Sequence, residues 1–90
     1  MGDAEKLKKE IIMLIDEAYD PIYKQAFYSD TEVQRIMEKL FQKWKEGGER
    51  GLPIDYASIE DLKILYKVAK KVSSKRPEEL YSAYTRVPGK

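Results

Sequence analysis

Val33, Ile36, Met37, Leu40, Phe41 and Trp44 recur at spacings of three and four. Only an α-helix places such residues on one face. Arg35, Glu38, Lys39, Gln42, Lys43 and Glu46 fall on the other side, so one face seeks a core and the other seeks water. Asp30 or Thr31 is a suitable cap before this run, and Gly47-Gly48 is a suitable stop after it. A helix of this kind forms stably only by burying its stripe, so the rest of the chain must supply partners.

Two further segments do so. Leu7, Ile11, Leu14, Ile15 and Ala18 form a stripe at the same spacing, with Asp3 as N-cap. Ile12 and Met13 widen its arc, which predicts a helix covered on two sides. Ile59, Leu62, Leu65, Tyr66, Ala69 and Val72 define a helix from Ser58 to about Ser73, opened by a Ser58–Asp61 capping box. Asp20-Pro21 predicts a cap and a short helix to about Tyr28, and Pro77-Glu78-Glu79 starts another that docks Leu80, Tyr81, Tyr84 and Val87. Residues 47–57 hold three glycines and Pro53 but also Leu52, Ile54 and Tyr56, so they predict an ordered loop lying against the core. The expected fold is all-α: one domain over 1–90, a small bundle of three main helices plus one or two short helices, with a frayed tail at 88–90. Trp44, the single tryptophan, is expected as the main core anchor, with Trp44→Ala costing about 3–5 kcal/mol.

Composition narrows the function classes. Without cysteine or histidine there is no disulfide, no thiolate nucleophile and no usual general base or transition-metal ligand. No glycine-rich stretch carries the closing Gly-Lys-Ser/Thr of a phosphate-binding loop. Asp16, Glu17 and Asp20 read as a solvated helix end. No catalytic residue, cofactor or metal is therefore assigned, and the chain reads as non-enzymatic. The longest apolar run, Ile11 to Ile15, is far short of the roughly 18 residues of a membrane span, and no signal-peptide pattern is present. These features predict a cytoplasmic protein away from membranes. Charged residues make up 37% of the chain and asparagine is absent, a thermophile-like composition.

Two features point to partners. Residues 1–20 carry a net charge of −3 and residues 51–90 a net of +3. Much of the positive charge is Lys63, Lys67, Lys70, Lys71, Lys75 and Arg76, with no anion among them. The first four cover roughly a 100° arc opposite the apolar face, a candidate contact for nucleic acid or an acidic partner. Seven tyrosines exceed what a core this small requires, and tyrosine is enriched where surfaces meet partners. Tyr23, Tyr28, Tyr81 and Tyr84, with the stripe-flanking Ile64 and Val68, are the candidate protein-interface residues. The reading is a small helical interaction module or accessory subunit, able to self-associate. The alternative is nucleic-acid binding through the basic face of helix 58–74.

Overall fold

A computed structural model describes residues 2–84, with the side chain of Tyr84 excepted. Expectations for Val87 and the tail 88–90, and for the Tyr84 side chain, lie outside the described residues. The elements are α1 (Asp3–Ile11), a π-helical turn (Ile12–Asp16), α2 (Pro21–Ser29), α3 (Thr31–Glu46), a 3-10 turn (Pro53–Tyr56), α4 (Ile59–Ser73) and α5 (Pro77–Tyr84). No strand occurs among the described residues, and the fold is all-α as the periodicity requires.

Capping chemistry sets most of the boundaries. The Asp20 carboxylate accepts from Ile22 N–H at 3.0 Å, and Pro21 opens α2 where its missing N–H costs nothing. Asp30, not Thr31, caps α3, accepting from Glu32 N–H at 2.9 Å and Val33 N–H at 3.3 Å. Ser58 and Asp61 cap each other's backbone, at 3.1 Å from Asp61 N–H to Ser58 Oγ and 3.4 Å in return. α1 departs from expectation, because Asp3 is its first helical residue and Gly2, with no side chain to offer, stands at the cap. At the end of α3 the Glu49 N–H reaches Trp44 O at 2.8 Å and the Gly48 N–H reaches Lys45 O at 3.1 Å. This crossed pair needs a left-handed residue between, supplied by Gly48 at φ +86°.

The first long helix does not run regularly to Ala18. After Ile11 it widens by one residue per turn, with Glu17 N–H reaching Ile12 O at 3.1 Å. Ile11 and Ile15 are buried, whereas Ile12 is half-buried and Met13 is 59% exposed. The cover expected over Met13 is therefore absent among the described residues, and the chain turns away into α2 instead.

The core gathers Ile11, Ile15, Ile22, Phe27, Val33, Ile36, Leu40, Leu62, Leu65, Ala69 and Leu80, with α4 packed mainly along α1. Phe27 is its largest fully buried side chain. Trp44 is not the anchor: it is only half-buried, and its indole N–H reaches out to Gly51 O at 3.0 Å. The last turns of α3 pack on the 3-10 turn rather than on α4, which takes Trp44 to the molecule's edge.

Candidate binding cleft

Because α3 leaves the core before its apolar stripe ends, a gap opens between it and α1. The π-turn forms one wall with Ile12, Ile15 and Asp16, and α3 forms the facing wall with Met37, Phe41 and Trp44. Leu52, Pro53 and Ile54 close one end, Lys24, Phe27 and Tyr28 of α2 close the other, and Leu65 of α4 contributes from below. The resulting cleft has a volume of about 550 Å³ and a lining that is almost entirely apolar. Tyr28, Phe41 and Leu52 around it are 39%, 47% and 57% exposed, so apolar surface continues out over the rim.

Each wall is held by a specific contact. Lys8 on α1 pairs with Asp55 on the 3-10 turn at 3.0 Å and with Glu5 at 3.1 Å. These hydrogen bonds, first the one Lys8 donates to Asp55, raise the pKa of the Lys8 ammonium above its ordinary value. The Leu52 N–H, helped by Lys8, holds the Asp55 carboxyl below its ordinary value. On the opposite side the Trp44–Gly51 bond ties the loop to α3, and the Phe41 and Trp44 rings meet edge-on with centroids 6.1 Å apart.

Polar groups at the mouth are few. Lys24 Nζ lies 3.8 Å from Asp16 Oδ1, a loose pair with both side chains well exposed. Burial, with the nearby Asp16 charge, raises the Tyr28 hydroxyl above its ordinary value. The Trp44 indole N–H is already engaged. The cleft therefore offers an occupant apolar contact and almost no hydrogen bonds. Among the described residues no three acidic side chains are grouped to hold a metal ion, and no helix is long and apolar enough to cross a membrane.

The structure divides the residues singled out from the sequence. Tyr28 is exposed on the cleft rim. Tyr81 is exposed near α2, where its hydroxyl donates to Asp20 Oδ1 at 2.9 Å. Tyr23 is 5% and Val68 7% exposed, so both belong to the core and neither is available to a partner. Val68 is drawn in because the buried arc of α4 centres between Leu65 and Val72, leaving Tyr66 half-buried. Ile64 is half-buried against the core. The cleft residues Ile12, Phe41, Trp44 and Leu52 were not predicted as a site. Their signal was an apolar arc on α3 wider than one neighbour can cover, with Phe41 at its edge.

Lys63, Lys67, Lys70, Lys71, Lys75 and Arg76 are all exposed, and none forms an ion pair among the described residues. Lys70 instead stands 5.9 Å over the Tyr66 ring. At 100° per residue, Lys63, Lys67 and Lys70 point away from Leu65. The lysine row and the cleft thus occupy opposite sides of the molecule. Comparison with protein-family models, curated proteins and solved structures finds no match for this chain.

Proposed function

We propose that this protein is a non-enzymatic interaction module whose apolar cleft receives side chains of a protein partner. The observation that carries the reading is a concave apolar surface rimmed by exposed Tyr28, Phe41 and Leu52. Exposed apolar area of that kind favours association, and aromatic residues recur at the centre of protein contacts. A photo-crosslinking residue at position 41, expressed in the native cell, tests it against one at position 70. A discrete protein adduct from position 41 that is absent from position 70 is the expected result. No adduct at 41 counts against the cleft.

The exposed lysine row, which forms no ion pair among the described residues, supports a second reading, binding to a phosphate backbone. Its signature is affinity that falls steeply with salt, and replacing Lys67 and Lys71 lowers that slope by roughly one unit per lost phosphate contact. Nucleic-acid adducts confined to position 70 would favour it over the first.

A further inference from the structure

Resting on the second reading above, we propose that the exposed strip of α4 is a contact for double-stranded DNA that grips the phosphate backbone and reads no sequence. α4 packs on α1, α2 and α3, so only one strip of it meets solvent. Past the first turn every exposed residue of the helix is a lysine: Lys63, Lys67, Lys70 and Lys71. At 1.5 Å per residue they spread over about 12 Å, a length in which one strand of a duplex places roughly three to four phosphates. None of the four forms an ion pair among the described residues. Glu60 at the N-terminal end and Asp3 and Glu10 of α1, which line a shallow hollow with Lys63, weaken the field there. The strip is therefore most positive from Lys67 to Lys71.

What the strip lacks separates a duplex from the other polyanions. Protein contacts are depleted of lysine and anchored on aromatic or aliphatic side chains. Here the flanking Ile64 and Tyr66 are half-buried, and Lys70 Nζ stands 5.9 Å over the Tyr66 ring. For the same reason the bases of a single strand find no exposed ring to stack on. An interfacial helix binds a membrane by inserting its apolar face, whereas that of α4, with Leu62, Leu65, Ala69 and Val72, is buried in the core. A duplex needs neither ring nor apolar contact, since its charge lies on its outside.

The absence of sequence reading follows from the same geometry. A recognition helix enters the major groove and reads base edges chiefly with arginine, asparagine or glutamine. α4 is held in the bundle on its remaining sides, so its lysines reach only the outer phosphates. Ammonium groups are point charges on flexible stems and suit that contact. They donate and never accept, so they cannot answer both functions of the 2′-hydroxyl that marks RNA.

The test titrates the whole chain into a fluorescent DNA duplex and follows anisotropy as salt is raised. Four phosphate contacts predict a slope of log affinity on log salt near about −3.6, a loss of roughly 300-fold between about 20 and about 100 mM. Lys67→Gln with Lys71→Gln should halve that slope to about −1.8. Lys24→Gln with Lys45→Gln removes the same charge at exposed positions off the strip and should leave it nearly unchanged. A duplex of unrelated sequence should bind within about twofold, and a single strand of equal length at least about threefold more weakly. Tighter binding of the single strand or of duplex RNA, or discrimination between the two duplexes, overturns the DNA assignment while leaving phosphate binding in place. So does polyglutamate bound as tightly as the duplex, or binding confined to phosphatidylserine vesicles. An equal loss in both double variants removes the strip as the site. If no duplex, single strand or vesicle binds even at low salt, the phosphate reading fails and the proposal with it.

Discussion

The Tyr23 hydroxyl donates a 2.6 Å hydrogen bond to the carbonyl of Lys75, joining residues 52 positions apart. It ties α2 to the link between α4 and α5, just past the helix end where carbonyls need donor partners. Tyr23 therefore fastens the α2–α5 corner from inside, while Tyr19, 80% exposed, meets it through a 3.4 Å hydroxyl contact and a tilted ring contact with centroids 5.6 Å apart.

The Tyr23 hydroxyl predicts an alkaline weakness. Chiefly through the hydroxyl contact with Tyr19, the Tyr23 phenol is pushed from 10.0 up to about 12. The folded state thus holds this proton more tightly than the unfolded state. Its stabilisation is complete below the ordinary value of 10.0 and is lost as pH rises toward about 12. Melting curves from neutral to high pH should show a decline over that window, and Tyr23→Phe should flatten it. At neutral pH the same substitution lowers the melting temperature by a few degrees, whereas Tyr19→Phe leaves it nearly unchanged. Equal effects of the two would remove Tyr23 from its assigned place.

Asp61 predicts the opposite limb. It is 7% exposed, caps α4, and receives Lys39 Nζ at 3.0 and 3.1 Å on its two oxygens. Burial alone would raise this carboxyl, but the Lys39 and Ser58 hydrogen bonds outweigh it and hold the group below 3.8. Its stabilisation is present above that ordinary value and disappears as pH falls through the lower folded one. Asp61→Ala should cost about 1–3 kcal/mol near neutral pH and blunt the acid limb of the stability profile. Urea unfolding across pH measures both. An unchanged acid limb would mean that other carboxylates control it.

Much of this architecture was legible in residue spacing. The stripes at 33–40 and 62–72 bury as periodicity requires, and Asp20, Pro21, Ser58 and Asp61 act at their helix ends because capping is a local interaction. What spacing did not disclose depends on which neighbour a stripe meets. Phe41 and Trp44 continue the α3 stripe, but α3 packs more on the 3-10 turn than on α4, and the Trp44 indole bonds to Gly51 beside that turn. The π-turn was equally hidden, because Ile12, Met13 and Ile15 suit a regular helix as well as a widened one. The cleft is the product of those two departures, so no single segment carried its signature. Tyr23 and Val68 looked like surface residues because their burial depends on α5 and on a small rotation of α4.

The core assignment leads to a comparison of two aromatics. Phe27 is 2% exposed at the centre of the cluster, and Phe27→Ala should cost about 3–5 kcal/mol, much of the stability of a chain this size. Trp44 is half-buried on the cleft wall, so Trp44→Ala should cost about 1–2 kcal/mol despite the larger ring. Urea denaturation of both variants ranks them directly. A larger loss at Trp44 would return it to the centre of the core and close the cleft.

Gly51 sets the far edge of that cleft. Its φ is +68°, and an added Cβ would lie 2.8 Å from Asp55 Oδ2, the carboxylate that also caps Leu52 N–H. Both the left-handed backbone and the crowding oppose a side chain, so Gly51→Ala should destabilise the fold by about 1–2 kcal/mol. The strain falls on the segment holding Leu52, Pro53 and Ile54 against the cleft. Displacing Asp55 also loosens its pair with Lys8, the tie between α1 and the 3-10 turn. Hydrogen exchange should therefore speed up in 50–57 before it does in α2 or α4. If exchange rises uniformly instead, this edge is not an independent unit, and the loop is fixed by its packing on α3 rather than by the Gly51–Asp55 turn.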